Sequence, residues 1–242
     1  MVLRSVRFLL LPAVLAAGVW MSGPATALTP VRDTAWSKIH RQAAAEFQVF
    51  LTRHGQVEAD WLPSQPGVHM LLNLDEPLPG DTLVQRGDGF LRANEGMLGV
   101  PASQLQYQRT SSTKQRETLR YSQMVRLGDK TLPVLDGEVT LTFDKSNGHL
   151  LRLVNATQPV LNLTAGALSR EDAVAKASQA AAGATFGRGS AAAAEEGVIA
   201  GVNGARHVWI VHVPGASLRD LRTFAVDAQS GVATRMPNRV MD

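Results

Sequence analysis

A strand–turn–strand pattern in the middle of the chain constrains the fold most. Apolar and polar residues alternate there, so that Val139, Leu141 and Phe143 face one side of a strand and Glu138, Thr140 and Thr142 face the other. A hairpin turn is predicted at residues 144–148, followed by a second strand at residues 149–154. An antiparallel sheet with this alternation has one solvated face, and helices must cover its apolar face.

Two helical patterns upstream can provide this cover. The first is predicted to be capped by Asp33 and to end before Gly55, with apolar residues at helical spacing: Trp36, Ile39, Ala43, Phe47, Phe50 and Leu51. The second begins near Asp81 and carries Leu83, Val84, Phe90, Leu91, Met97 and Leu98. Gly87 and Gly89 weaken the second prediction by about 1 kcal/mol each.

A further helix is predicted from Ser169 to about residue 182. The sequence S-R-E-D has the pattern of a capping box, in which the Ser169 hydroxyl accepts a hydrogen bond from the Asp172 amide and that carboxylate reaches back. The apolar stripe of this helix is small: Ala173, Val174, Ala177 and Ala181. Small residues let a helix lie close to a sheet.

The extended segments form two groups, one after each helical region. The first group is predicted at residues 57–62, 68–74, 119–125, 139–143 and 149–154. The second is predicted at residues 197–202, 206–213 and 221–227 with a return to residue 234, after a Gly/Ala/Ser linker at residues 183–194. The predicted fold class is therefore α+β, with two helix-on-antiparallel-sheet subdomains in tandem. We place their boundaries at residues 28–164 and 165–242.

The N-terminus predicts export. Arg4 and Arg7 precede an apolar run at residues 8–20, and Ala25-Thr26-Ala27 has the small-residue pattern of a cleavage site. The run is shorter than the ~20 residues that span a bilayer. We expect residues 1–27 to be a signal peptide, and the mature protein to be secreted or periplasmic with no membrane association. The chain has no cysteine, so packing alone must stabilise it.

The charge of the chain gives no indication of a nucleic-acid partner. The net charge is +3, from 24 basic and 21 acidic residues, and removal of Arg4 and Arg7 leaves 22 basic residues and a charge of +1. Nucleic-acid binding requires a clustered basic surface. No such cluster is visible in the sequence.

Motifs for catalysis are absent from the sequence. It contains no H-E-x-x-H, no G-x-S-x-G and no cysteine. None of the histidines stands with a glutamate at zinc-ligand spacing: His40, His54, His69, His149, His207 and His212. The acidic pairs Asp75-Glu76 and Glu195-Glu196 are expected in turns or linkers as solvated charges. The sequence therefore predicts no catalytic residue, no cofactor and no metal.

Two segments resemble the propeptide of fungalysin/thermolysin-type metalloproteases. Residues 118–154 resemble its N-terminal module through Arg120, Tyr121, Gln123, Pro133, Val134, Gly137, Asp144 and Gly148. Residues 169–231 resemble the PepSY module that follows in such propeptides, through Ser169, Asp172, Trp209, Phe224, Asp227 and Gly231. The resemblance implies PepSY/cystatin-like subdomains.

These motif residues have expected structural roles. Arg120 and Gln123 fall on opposite faces of one strand, where each can bridge to a neighbouring turn. Pro133 is expected at a sheet edge, where its missing N–H costs nothing. Asp227 can accept from turn amides while Gly231 closes that turn. Trp209 and Phe224 are expected to pack as core aromatics under the second subdomain's helix.

The resemblance also implies a function. In the resembled precursors a zinc protease domain follows the second module, and this sequence ends at that junction. We expect a secreted, non-catalytic protein that binds a thermolysin-like zinc metalloprotease in trans, as an inhibitor, a folding assistant or both. The expected docking tail is Arg235, Met236, Pro237, Asn238, Arg239, Val240 and Met241. The alternatives are the prosegment of a truncated or split precursor, and an envelope module that binds peptides without a protease partner.

Overall fold

The structure is a computed structural model that describes residues 34–55, 57–181, 193–214 and 221–237. All of these residues belong to one compact unit, Asp33–Asp242. The helices are α1 (Ala35–His54), α2 (Leu83–Ala93), α3 (Glu95–Leu98) and α4 (Arg170–Ala180). The strands are β1 (Glu58–Asp60), β2 (Met70–Glu76), β3 (Leu105–Ser112), β4 (Arg116–Leu127), β5 (Lys130–Asp144), β6 (Leu150–Asn155), β7 (Ala193–Ile199), β8 (Arg206–Pro214), β9 (Leu221–Asp227) and β10 (Ala233–Arg235).

The strands form one sheet that branches at β5. Along the main path the order is β1-β2-β6-β5-β7-β8-β9-β10, and β4 also pairs with β5 while β3 pairs with β4. Almost all pairings are antiparallel. The exception is a short parallel contact between Val134 of β5 and Val198 of β7. This contact joins an N-terminal half (residues 34–160) to a C-terminal half (residues 169–237), and residues 161–168 form the strap between them.

The core of the N-terminal half is built from large side chains. Phe47 and Phe50 of α1 and Phe90 of α2 pack on the apolar face of the sheet. The predicted alternation along β5 is confirmed, because the side chains on the apolar face are fully buried: Val139, Leu141 and Phe143. The opposite face of β5 carries the half-buried residues Glu138, Thr140 and Thr142.

The C-terminal half repeats the helix-on-sheet arrangement with smaller residues. Ala173, Ala177 and Ala181 of α4 are buried against the strands. The strand residues in the same cluster are Val211, Val213, Phe224 and Val226. A third cluster lies between the halves and combines Val125, Leu132 and Val134 with Val198 and Ala205. The predicted α+β class with two helix-on-antiparallel-sheet subdomains is thus the observed architecture.

The predicted helices differ from the observed ones mainly at their ends. Thr34 is the N-cap of α1, because its side chain accepts from the Ser37 amide at 3.2 Å, so the prediction that Asp33 caps this helix is wrong. The second predicted helix is broken at Asn94 into α2 and α3. Thr82 and Gln85 form a capping box at the start of α2 that the sequence analysis missed.

Gly87 explains why a helix with an internal glycine packs here. A Cβ at this position would lie 2.6 Å from the Tyr121 hydroxyl and 2.8 Å from Leu119 Cδ1. The absence of a side chain therefore lets α2 approach β4 closely, and this outweighs the low helix propensity of glycine.

Several strand predictions require correction, because β3 is not among the predicted segments and β5 begins nine residues before the predicted residue 139. β7 begins at residue 193 and ends at residue 199, so it starts four residues before the predicted position and includes Glu195 and Glu196. These two residues are therefore not in a linker. The pair Asp75-Glu76 likewise lies in β2 and not in a turn. The predicted signal peptide and most of the predicted linker lie outside the described residues. No helix within the described ranges is long and apolar enough to cross a membrane.

Candidate functional site

The motif residues of β4 have distinct partners on the two faces of the sheet. The guanidinium of Arg120 lies on the solvated face, with its Nε 3.0 Å from Oε1 of Glu138 on β5. Tyr121 points into the core and donates from its hydroxyl to Asp88 Oδ1 of α2 at 2.9 Å. Burial, followed by the hydrogen bond to Asp88, raises the pKa of Tyr121. Tyr121 therefore stays protonated and connects β4 to α2.

The fully buried side chain of Gln123 connects β4 to residue 158, which lies just before the strap. Its Nε2 donates to the Gln158 carbonyl at 2.8 Å and to Gln104 Oε1 at 2.9 Å, and its Oε1 accepts from the Gln158 amide at 3.0 Å. A Cβ on Gly137 would lie 2.8 Å from that oxygen. The opposite faces predicted for Arg120 and Gln123 are observed, and Gln123 satisfies both peptide groups of Gln158.

Pro133 does not lie at a sheet edge, so that prediction is wrong. It pairs with Met124 of β4 in the interior strand β5, and the next residue, Val134, is buried against β7. The register between β4 and β5 shifts directly after Pro133, and Asp136 there has a positive φ of 63°. A bulge thus accommodates the proline, since bulges are the other position where a strand tolerates a missing N–H.

The two D-x-x-x-G turns have the same construction. Asp144 Oδ1 accepts from the Ser146 amide at 2.7 Å, and Gly148 closes the turn with φ 73°. Asp227 Oδ1 accepts from the amides of Gln229 and Ser230, and Gly231 closes its turn with φ 71°.

The hydrogen bonds set the pKa of both carboxylates. Those from the Ser146 side chain and backbone lower the pKa of Asp144. Burial opposes ionisation of Asp227, but the bonds from Ser230 and Gln229 outweigh it and lower the pKa.

The motif residues of the C-terminal half lie at the start of α4 and on the strands that this helix covers. Ser169 caps this helix by accepting from the Asp172 amide at 3.1 Å, and its hydroxyl donates to the Asp172 carboxylate at 2.8 Å. The carboxylate therefore bonds to the cap hydroxyl. Phe224 is buried, and Trp209 packs against the same cluster while its Nε1 donates to the Leu168 carbonyl at 3.0 Å. Phe224 is a core residue, as predicted, whereas Trp209 is half-buried at the margin of the cluster.

The histidines contact neighbouring polar groups. His54 and His149 contact Glu76 and Asp75 at 2.7 and 2.9 Å. His69 donates to the Asn155 carbonyl at 2.8 Å. In the described part of the chain, no three histidine or acidic residues are placed to hold a metal ion.

His207 has a buried environment that the sequence pattern does not indicate. It is 8% exposed, and its Nδ1 accepts a hydrogen bond from the Gly166 amide of the strap at 3.1 Å. Its Nε2 has no hydrogen-bond partner among the described residues and lies 3.8 Å from Glu196 Oε1. Lys130 holds that carboxylate at 2.7 Å. Burial, the largest influence, lowers the pKa of His207.

One cleft of the N-terminal half has no group of side chains arranged for catalysis. It encloses about 370 Å³ between α1, α3 and residues 159–161, and Ile39, Val100 and Leu161 are among its lining residues. The acid in its wall, Glu95, accepts a hydrogen bond from the Ala102 amide at 2.9 Å and so has a structural role. The cleft is a mostly apolar depression whose wall also carries amide side chains.

The predicted docking tail begins on the outermost strand of the C-terminal half. Arg235 of β10 pairs with Phe224 of β9, and the Met236 amide continues this pairing by donating to the Thr223 carbonyl at 2.8 Å. Arg235 and Pro237 are exposed. The remaining tail residues, Asn238, Arg239, Val240 and Met241, lie outside the described residues.

Comparisons with known proteins assign no family to this chain. No protein-family model matches it, and no curated protein matches it. Among solved structures, the Bacillus megaterium YpeB C-terminal domain is similar at a TM-score of 0.32 and 11% identity, over 81% of this chain and 96% of that chain. A similarity this weak carries no conclusion about function. The resemblance to metalloprotease propeptides therefore depends on the motif residues described above.

Proposed function

We propose that the protein is a non-catalytic binding protein that acts outside the cytoplasm, after cleavage of residues 1–27, on a thermolysin-like zinc metalloprotease. It inhibits this protease, assists its folding, or does both. The observation that supports the proposal is the start of the tail at Arg235 and Met236. The Met236 amide continues the pairing of β10 with β9 at the end of the strand order, and one edge of β10 is unpaired in the described sheet.

Extended docking requires no catalytic residue on the binding protein. An edge strand and the chain that continues it can pair with a partner's backbone, and side-chain pockets on the partner then give specificity. Binding to the native protease alone also shifts its folding equilibrium by mass action. One surface can therefore inhibit the enzyme and assist its folding.

The test is titration of a thermolysin-like protease from the same organism with the purified protein, measuring residual peptidase activity and the yield of refolding. Removal of residues 236–242 is expected to weaken inhibition at least about tenfold, the equivalent of 1.4 kcal/mol. The control variant is Gln108→Pro in β3, which leaves the tail intact. The proposal would be refuted if the full chain produced neither inhibition of the protease nor an improved yield of refolding.

A second candidate is an envelope module that holds an extended peptide, and the edge strand β3 favours it. Residues 106–112 are exposed, and β3 pairs only with β4 in the described sheet. Gln108 lies in a bulge without a cross-strand partner. If this candidate is correct, Gln108→Pro should abolish capture of extended peptides from an envelope-derived peptide mixture, whereas removal of residues 236–242 should not.

A further inference from the structure

The hydrogen bond from Gly166 to His207 fixes the protonation state of the imidazole. A backbone N–H can only donate, so Nδ1 of His207 must present its lone pair at the observed 3.1 Å. The ring is then neutral and its proton is on Nε2. A protonated ring would place an N–H against the N–H of Gly166, so the charged ring cannot keep this contact.

The two ends of the strap are held by bonds from the Ala205 amide to the Leu161 carbonyl at 2.8 Å and from Trp209 Nε1 to the Leu168 carbonyl at 3.0 Å, and its middle is held by the contact of Gly166 with His207. The Leu168 amide donates to the Ala228 carbonyl, and the Ala228 amide donates to the His207 carbonyl, both at 2.9 Å. A Cβ on Gly166 would overlap the Ala228 backbone. The middle of the strap therefore lies directly on His207 and on the turn after β9, and displacement of the imidazole would remove the hydrogen-bond partner of the Gly166 amide.

A carboxylate that can accept a hydrogen bond from the charged ring lies on the opposite side of His207. Nε2 is 3.8 Å from Glu196 Oε1, too far for a hydrogen bond in the present position. A small movement of the ring away from Gly166 would close that distance. The other charged groups around the ring are Lys130 of β5, which binds Glu196, Asp227 of β9, and Arg206 of β8, whose Nη1 lies 3.8 Å from Asp227.

We propose that His207 is a proton-operated latch: uptake of a proton on Nδ1 breaks its bond to the Gly166 amide, turns the ring toward Glu196, and releases the strap between the two halves. Acidification therefore loosens the connection of the C-terminal half to the N-terminal half. The proposal is independent of the proposed protease binding, and its test contains no protease.

The direction of the pH effect follows from the lowered pKa of the folded state. Between the folded pKa and the ordinary histidine value of 6.5, the unfolded or released state binds more protons than the latched state. The latch is therefore closed above pH about 6.5 and opens as the pH falls toward the folded pKa. Glu196 and Asp227 act against this shift, while burial and Lys130 produce it.

The experiment is an NMR titration of the ¹⁵N-labelled full chain from pH 7.5 downward. At pH 7.5 the imidazole spectrum is expected to show the proton on Nε2. As His207 takes up its second proton, the hydrogen-exchange protection factor of the Gly166 amide is expected to fall about tenfold per pH unit. The Ala177 amide inside α4 is expected to keep its protection over the same range.

Two variants distinguish a latch at His207 from titration of a histidine that leaves the Gly166 amide protected. His207→Asn keeps an acceptor for Gly166 but binds no proton, so Gly166 protection should no longer depend on pH. His212→Asn removes a half-buried histidine of the same strand that contacts Thr223 at 3.0 Å, and it should behave like the wild type.

Any of four results would overturn the proposal. These are a proton on Nδ1 at pH 7.5, titration of His207 without a change at Gly166, no titration before the fold is lost, or wild-type pH dependence in His207→Asn. The first three are measured on the wild type, so they decide the question even if a variant fails to fold.

Discussion

The two halves of the molecule have the same arrangement of helix on sheet, but one packs with large side chains and the other with small ones. In the N-terminal half, Phe47, Phe50 and Phe90 fill a wide space between helices and sheet. In the C-terminal half, Ala173, Ala177 and Ala181 bring α4 close to the strands and leave little space to fill. The first half should therefore be sensitive to loss of volume, and the second to its addition.

Phe50→Ala is expected to have the largest effect. Phe50 is buried and contacts the rings of Phe47, His54 and Phe90. Truncation of a buried phenylalanine costs about 3–5 kcal/mol of unfolding free energy. Urea denaturation would measure it, with the neighbouring exposed variant Val49→Ala as a control that should change stability by no more than about 0.5 kcal/mol. Equal effects at both positions would contradict the packing described for α1.

Ala177→Leu tests the opposite sensitivity in α4. Ala177 is fully buried, so a larger side chain must displace the helix or the strands, at a cost of about 1–3 kcal/mol. Ala175→Leu places the same side chain on the exposed face of the same helix and should change stability by about 0.5 kcal/mol or less. Thermal unfolding followed by circular dichroism would compare the two. A tolerated leucine at position 177 would mean that α4 packs loosely.

Gly87→Ala and Gly89→Ala should have opposite signs. The new Cβ at position 87 would lie within 3 Å of Tyr121 and Leu119, so we expect a loss of about 1–2 kcal/mol despite the higher helix propensity of alanine. Nothing lies within 4 Å of a Cβ at position 89, so that variant should gain about 0.5–1 kcal/mol. Denaturant midpoints of the pair measure the difference. Stabilisation by both variants would show that α2 does not require the close approach.

Asp227→Asn should have a smaller effect, and one that depends on pH. The lowered pKa of Asp227 means that its ionised form stabilises the fold above the unfolded pKa of 3.8, by about 1 kcal/mol from its charge-assisted hydrogen bonds. This stabilisation is lost as the pH falls through the folded pKa. Wild type and variant should therefore differ at pH 7 and converge below pH 3.8.

The corresponding turn of the N-terminal half provides the comparison for Asp227. Asp144 is half-buried like Asp227 but accepts from one backbone amide where Asp227 accepts from two, so Asp144→Asn should change stability less. Unfolding free energies at pH 7 and pH 3 for both variants would measure this. A stability difference at Asp227 that does not change with pH would indicate that its side chain acts by shape and not by charge.

The sequence predicts the parts of this fold that local chemistry determines. The alternation around Leu141 fixes which face of β5 is buried, and Ser169 and the alanine stripe fix α4. Predictions fail where a distant partner decides. The position of Glu196 in β7 depends on Lys130 and His207, which are far away in the chain, and periodicity in a Gly/Ala-rich segment carries no sign of that pairing.

The same limit applies to the candidate site. That His207 and His212 lie on opposite faces follows from their spacing, but the burial of His207 does not. It results from the strap, whose Gly166 has no neighbouring pattern that marks it as a partner for a histidine. Pro133 was misjudged for a related reason, because the bulge that accommodates it is formed by the change in pairing between β4 and β5.

The sharing of β5 has a consequence for any attempt to cut the protein in two. The early part of this strand supplies Leu132 and Val134, which cover Val198 and Ala205 of the following half. A fragment beginning at residue 165 would carry an uncovered apolar surface and a bare strand edge at β7. We therefore expect heating to melt both halves in a single transition, and the isolated second fragment to self-associate.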